Sequence, residues 1–414
     1  MRYVIIGGSI AGISAAKAIR TKDSHAAVTV ISGEPFGQYY RPLIPMLISG
    51  RKNESDILYP EDPLHAEGIN RVVGSAIRVD TNTREVLLAS GDRISYDRLL
   101  IATGGVALKP RIPGLDSTKA AFPLRNVIHA QKLRQHAASA ASAVVIGGGL
   151  VGIKAALALR EAGRPEGKAP MDVAVVEMLP EILNGRLDHD GAAAIRAAVE
   201  ERGVDIHRNE QVKRLLSGSN GRSKVRLGSG GTVDADLIVV AAGVRPNIAF
   251  LRGSGIKTRR GVLVDETLLT NIPDVYAAGD VAEGVELLSG KRAVSGLWTN
   301  AQEMGRLAGL NMAGGNATYP GFLAVMNASE IAGIPFVSAG TIDTAGRGFD
   351  VAIGRENGKY WKLVKKGDFL VGVVLVGDIS RAGLYVNLIK NRIPLKRDHD
   401  KVMRRMASYA QLQA

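Results

Sequence analysis

The chain has 414 residues, 46% of them hydrophobic and 22% charged, and it contains no cysteine. At roughly 150 residues per domain this is a globular protein of two or three domains, and the missing cysteine excludes disulfides, thiolate metal sites, cysteine-ligated iron–sulfur clusters and thiol nucleophiles. Lys and Arg outnumber Asp and Glu by 53 to 40, a surplus of 13 that suits an acidic protein, a nucleic acid or a membrane surface.

Residues 3–8 read YVIIGG, a β-branched run closed by glycines, and an Ala-rich helical pattern follows. The next apolar run, VTVISGE (28–34), ends at an acid. EVLLASGDRISYD (85–97) has the form of a hairpin, and LLIATGG (99–105) is a strand closed by small residues. The same series then returns as VVIGGG (144–149), VAVVE (173–177), VRLGSGGTVDAD (225–236) and LIVVAAGV (237–244). Gly7 and Gly147 lie 140 residues apart, and Gly104 and Gly243 lie 139 apart, so a whole domain is repeated. Strand, glycine turn, helix, strand is the βαβ unit of dinucleotide binding, and two copies predict two sites. Strands continue over 256–281 and end in VYAAGDV; a helical pattern runs from Thr299 to about Gly314. From Tyr319 the chain turns β-rich, with turns at Gly367-Asp368 and Gly377-Asp378, and its tail carries seven basic residues between Lys390 and Arg405. The longest uncharged stretch, Ala137–Ile153, is broken by three consecutive glycines and falls short of the about 20 apolar residues of a membrane span. No signal segment opens the chain, so a cytoplasmic protein without membrane insertion is expected. The predicted fold class is α/β: two Rossmann-like dinucleotide-binding domains followed by a C-terminal α+β domain.

The second glycine turn is the more regular. Gly147, Gly149 and Gly152 fit G-x-G-x-x-G where a strand meets a helix. The first glycine permits the tight turn, the second lets a pyrophosphate approach the backbone, and the third lets helix and sheet close. The helix N-terminus offers N–H groups and the positive end of its dipole to the phosphates. Glu177 lies 25 residues past Gly152 at a strand end. A carboxylate there accepts from a ribose 2′-OH and repels a 2′-phosphate, so NADH is expected over NADPH. The first turn reads Gly7, Gly8, Ser9 and Gly12, with Ser replacing the central glycine. Glu34, 22 residues past Gly12, is the expected partner of the adenosine ribose.

With these motifs in hand, the chain resembles the FAD-dependent pyridine nucleotide–disulfide oxidoreductase superfamily, in particular NADH:rubredoxin and ferredoxin reductases and the flavin module of NADH-dependent nitrite reductases. YYRPLIPMLISGR (39–51), YDRLLIATGG (96–105), ADLIVVAAGVRPN (235–247), VYAAGDV (275–281), PGFLAVMNASEIAGIPFVSAG (320–340) and LVGVVLVGDISRAG (370–383) carry the likeness alongside the glycine turns. The resemblance implies an FAD domain over 1–110 and 243–315. An NAD domain (111–242) is inserted into it, and a C-terminal interface or partner-docking domain spans 316–414. It implies FAD and NAD(H) as cofactors. It sets Arg41 and Pro42 beside the flavin or its diphosphate, and the Ala102-Thr103-Gly104 turn against FAD. Arg125 comes to the flavin edge, Asp280 to the ribitol hydroxyl and Trp298 to the flavin. Gly243 closes the second copy as Gly104 closes the first.

Two departures from the family pattern stand out. Where many relatives carry Glu two residues past the third glycine, this chain has Lys154, and the Lys that pairs with that Glu falls near Met46. Lys154 is therefore expected beside flavin N5. The absence of cysteine removes all thiol chemistry, so electrons entering as hydride leave by another route. The expected activity is electron transfer between NAD(H) and a small acidic Fe–S carrier, ferredoxin or rubredoxin, steered by the positive surplus. The alternatives are an NADH oxidase or quinone reductase, and an NADH-sensing flavoprotein. The third domain covers the flavin, dimerises or docks the partner, and a homodimer is among the expectations. Leu187-Asp188-His189-Asp190 and Arg397-Asp398-His399-Asp400 fit no metal spacing and are expected to be surface polar residues, with no metal. No motif beyond charge supports nucleic-acid binding.

Overall fold

The computed structural model describes residues 1–162, 169–218, 222–345, 348–395 and 399–404. The chain forms two compact units. The first comprises Met1–Tyr40, Ile57–Val106 and Val244–Ala324. Its core is a five-stranded sheet in the order Val275–Ala277, Arg98–Ile101, Arg2–Ile6, Ala27–Ser32, Asn70–Val73, parallel throughout. Tyr3, Val4, Ile5 and Ile6 on the central strand are all buried, as a parallel strand covered on both faces demands. Each such aliphatic side chain stabilises the fold by roughly 1.5–3 kcal/mol on burial. The helices Ile10–Lys22 and Trp298–Met312 pack together, and glycines on the second let the backbones meet. A Cβ on Gly305 would stand 2.1 Å from Ala11 O, and one on Gly309 2.3 Å from Ala15 O. The expected hairpin over 85–97 is present as Glu85–Leu88 paired with Arg93–Ser95, joined by Ala76–Asp80.

The second unit comprises Arg41–Asp56, Ala107–Gly243 and Val325–Ala414. It holds another five-stranded parallel sheet, in the order Val204–His207, Asp172–Val176, Ser142–Ile146, Leu237–Val240, Ala121–Pro123. Both parallel sheets share one strand order, but their last strands arrive differently. In the first unit the edge strand Val275–Ala277 follows the rest in sequence; in the second, Ala121–Pro123 precedes them. The hairpin over 225–236 is also present, within a three-stranded antiparallel sheet. Its strand Ser223–Leu227 alternates buried and exposed, the period of a sheet wet on one face.

The C-terminal part is a five-stranded antiparallel sheet in the order Met326–Ile331, Ile334–Gly340, Phe369–Val376, Lys359–Lys366, Asp350–Glu356. Leu370 and Val373–Val376 are buried, and the helix Ala382–Lys390 packs on this sheet. The helix His189–Glu201 of the parallel domain also reaches it, against Lys359–Lys366 and Phe369–Val376. The fold class is therefore the expected one: two Rossmann-like domains and a C-terminal domain with an antiparallel sheet.

Candidate dinucleotide-binding sites

The two glycine turns are built alike. Gly7 N donates to Ile31 O at 2.8 Å, and Gly147 N to Val176 O at 2.9 Å. Gly7 has φ +125° and Gly147 φ +110°, conformations that a Cβ disfavours. Gly12 and Gly152 are required by packing, because a Cβ on either would stand 1.9 Å from the carbonyl oxygen of the turn's first glycine. Gly149 differs. It is the N-cap of the helix Leu150–Glu161 with φ −73°, and a Cβ there meets nothing within 4 Å. The protein leaves that space open, and no contact within 4 Å of a Cβ requires a glycine there. The matching Ser9 caps the helix Ile10–Lys22. Gly149 has no side chain to cap its helix, Ser9 makes no side-chain cap bond in its own, and neither first turn holds an acid. Both N-termini thus present N–H donors of the kind that a pyrophosphate takes.

Around the first turn, in the first unit, Ala102 is buried and its N–H donates to Ile6 O at 2.8 Å. Thr103 Oγ1 donates to Asn247 O at 2.9 Å, and Gly104 has φ +61°. A Cβ on Gly8 would stand 2.9 Å from that of Ser32. Since Gly7 bonds Ile31, Ser32 holds in the first copy the place that Glu177 holds in the second. Glu34 lies two residues further along. Its carboxylate accepts from Tyr39 OH, and Arg71 grips its loop through the carbonyls of Glu34 (3.1 Å) and Phe36. Tyr39 and Arg71 are supports that sequence spacing does not reveal. Asp280 follows Gly279, whose φ is +79° and whose Cβ would lie 3.0 Å from Ala11 Cβ and 3.4 Å from Ala301 Cβ. The Asp280 turn therefore meets the starts of both helices. Trp298, half-buried, is the first residue of its helix.

The second turn, in the second unit, is tied to its acid. Glu177 is buried; its Oε2 accepts from Gly148 N at 2.6 Å and its Oε1 from Leu179 N at 2.8 Å. Each carboxylate oxygen keeps a further lone pair, and the loop is fixed around it. Met178 is 66% exposed, and Leu179 and Val151 are also exposed, so apolar surface flanks the turn. Gly243 closes the last strand with φ +115°, and a Cβ on Gly147 would stand 2.5 Å from Ala241 O.

Arg41, Pro42, Arg125 and Lys154 belong to the second unit, and the residues around Gly7 to the first. Arg41 and Pro42 open the short helical turn Arg41–Leu43, and Arg41 Nη1 donates to Arg125 O at 3.3 Å. The helix Ile44–Ile48, which carries Met46, packs on the helix Leu150–Glu161, which carries Lys154. Arg51 and Glu161 join the two segments at 3.0 Å. Burial pushes the Lys154 ammonium below its ordinary pKa, and Glu330 opposes the shift.

One expectation is corrected. Asp188 is not a surface residue: its side chain is 11% exposed, it caps the helix His189–Glu201 through Gly191 N at 3.2 Å, and it pairs with Lys362. The cause is the C-terminal sheet, which covers it. Of the second such stretch, Arg397 and Asp398 lie outside the described residues, as do parts of the basic tail. Among the described residues no group of three or more His, Asp or Glu could hold a metal, and no helix is long and apolar enough to cross a membrane.

Two dinucleotide turns on two Rossmann-like domains, followed by an antiparallel C-terminal domain, define a two-cofactor flavoprotein reductase. The chain belongs to the pyridine nucleotide-disulphide oxidoreductase family, whose model matches residues 1–305, and the rubredoxin NAD+ reductase C-terminal domain matches 326–393. It is an NADH-dependent oxidoreductase with FAD and NAD(H) as cofactors. It is 33% identical over 405 residues to the NADH-dependent phenylglyoxylate dehydrogenase subunit epsilon of Aromatoleum evansii, covering 95% of this chain and 92% of that one. It is 29% identical over 381 residues to the NADH-rubredoxin oxidoreductase of Clostridium acetobutylicum, covering 92% of each. The solved structure of the latter matches with a TM-score of 0.75 at 28% identity, over 94% of this chain and 95% of that one.

Proposed function

We propose that the protein passes electrons from NADH to a small acidic Fe–S carrier, with the first glycine turn holding FAD and the second holding NADH. The observation that carries the cofactor assignment is Gly149: an ordinary φ, open space around its Cβ, and a helix N-terminus behind it. When bound, FAD takes two electrons as hydride and returns them singly. The chain supplies the rest. Gly147 to Gly152 seat the pyrophosphate, Glu177 accepts from the adenosine ribose, and Gly7 to Gly12, Glu34 and Asp280 hold the flavin dinucleotide. In the first unit, the Ala102-Thr103-Gly104 turn and Trp298 are the residues proposed for the flavin; in the second, Arg41, Pro42 and Arg125 keep that role only by the family resemblance.

Charge supports the acidic partner. Residues 107–160 carry eight basic residues against Asp116 alone, and residues 325–414 carry 14 against eight acids. These two segments, both in the second unit, contribute 7 and 6 of the 13 surplus charges. Such a concentrated field steers an acidic protein and weakens with salt. The test is stopped-flow oxidation of NADH-reduced enzyme by rubredoxin, ferredoxin, a quinone and oxygen. Fast, salt-sensitive oxidation by one of the Fe–S proteins is the expected result; fast oxidation by quinone or oxygen alone overturns it. The likeness to a dehydrogenase subunit favours a second reading, in which the acceptor is an Fe–S subunit of a larger complex. Co-purification of a partner chain from the native source distinguishes it.

By the family pattern, Lys154 is the residue proposed to tune the flavin. Lys154→Met should lower both the flavin potential and the limiting rate of its reduction by NADH, the latter about tenfold, or ~1.4 kcal/mol of barrier. Unchanged values for both would remove Lys154 from the site.

A further inference from the structure

The loop between Glu177 and Asp188 is held from two sides. On one side it is stitched to the second glycine turn: Leu183 N donates to Gly148 O at 2.9 Å, and Gly148 N donates back to Glu177 at 2.6 Å. Leu183 has φ +54°, a conformation rare for a branched side chain and kept only where its surroundings enforce it. On the other side the C-terminal sheet grips the loop's end. Ser338 Oγ donates to Arg186 O, Tyr360 OH donates to Asp188 Oδ2, and Arg355 pairs with Asp190. Lys362 Nζ lies 3.4 Å from Asp188 Oδ2 and donates to Ile342 O at 2.9 Å, with its side chain 9% exposed. Burial, reinforced by the Asp188 carboxylate, pushes the Tyr360 phenol far up, so it stays a donor.

We infer that Tyr360 and Lys362 are positioning residues for NADH: acting through Asp188, the C-terminal domain holds the loop that shapes the turn at Gly148 and Glu177. A buried ion pair adds little net stability over an apolar contact of the same shape. Its directional bonds do fix where Asp188, and so the loop, must sit. The inference rests on the reading of the second turn as the NADH site.

The test uses the full-length FAD-loaded protein. Tyr360→Phe removes one hydroxyl. The pair Asp188→Asn with Lys362→Met removes both charges together and keeps a capping side chain, so no lone charge is left buried. Binding of NAD+ and of adenosine diphosphoribose is measured by calorimetry, and amide exchange is followed at Gly148 and Leu183. Both variants should bind about tenfold more weakly, within the usual range of coupling between sites, and exchange faster at those two amides. Thermal midpoint and limiting rate of flavin reduction should stay near the parent's. Unchanged binding in a folded variant overturns the inference, as does a loss of binding only in step with thermal stability. Gly149→Val separates the premise: if it binds normally, the NADH-site reading fails, and if it binds poorly while the latch variants bind normally, only the latch fails.

Discussion

Gly149→Val is expected to purify folded, with its FAD, and to lose NADH binding by about 100-fold or more, worth roughly 2.7 kcal/mol. The three other glycines of that turn could not report on the ligand alone. Gly147 needs its positive φ, Gly152 abuts Gly147 O, and a Cβ on Gly148 would press on Glu177 at 3.1 Å. A side chain at any of them disturbs the fold first. At Gly149 the backbone is ordinary and a Cβ meets nothing within 4 Å, so a small side chain there projects into the open space that the proposed ligand would fill. Titration of flavin reduction against NADH, beside a melting curve, checks it. An unchanged dissociation constant would refute phosphate binding at this turn. Ser9, which holds the matching position in the first copy, indicates that Gly149→Ser should be much milder.

The second large effect is expected from Gly305→Val, which should yield protein without FAD and with a strongly lowered thermal midpoint. The new Cβ would meet the backbone oxygen of Ala11 at 2.1 Å. Overpacking against side chains costs about 1–3 kcal/mol; here the obstacle is main chain, which cannot rotate away, so the helices Ile10–Lys22 and Trp298–Met312 must part. Both helices begin near the Asp280 turn, and parting them opens the proposed flavin site. Gly383 gives the control. It lies inside the helix Ala382–Lys390 with nothing within 4 Å of a Cβ, so Gly383→Ala should be neutral or stabilise by up to about 1 kcal/mol. Absorbance at the flavin band per polypeptide and calorimetric melting read both variants. Full FAD content in Gly305→Val would show that the helix contact is dispensable.

Legibility followed the range of the interaction. Each glycine turn is dictated by sterics within a few residues, so Gly7, Gly12, Gly147 and Gly152 stand out in the bare sequence at their fixed offset. The strands around them carry continuous β-branched runs because both faces are covered, and the two hairpins carry Gly-containing turns. Spacing points to Glu34 and Glu177 as expected acids, but spacing does not tell that they occupy different places. Ser32 is the counterpart of Glu177, and the first-copy acid has slipped two residues along, where Tyr39 and Arg71 support it. The Asp188 stretch departs from the surface expectation for a related reason. Its partners Tyr360 and Lys362 lie 172 and 174 residues away, and no local pattern signals a contact of that separation.

By itself, then, the sequence determined what its local chemistry demands: two dinucleotide turns on two repeated domains, a β-rich third domain, a chain without thiols, and a positive surplus. The tertiary structure alone decided which residues the long-range contacts bring together. It grouped Arg41–Asp56 with the second unit, tied the Glu177 carboxylate to Gly148, and laid the C-terminal sheet over Asp188. The physical reason is that backbone sterics and hydrophobic period act over a few residues and leave a readable pattern. A buried hydrogen bond or ion pair needs only two polar atoms to meet, and the chain between them carries no trace of it.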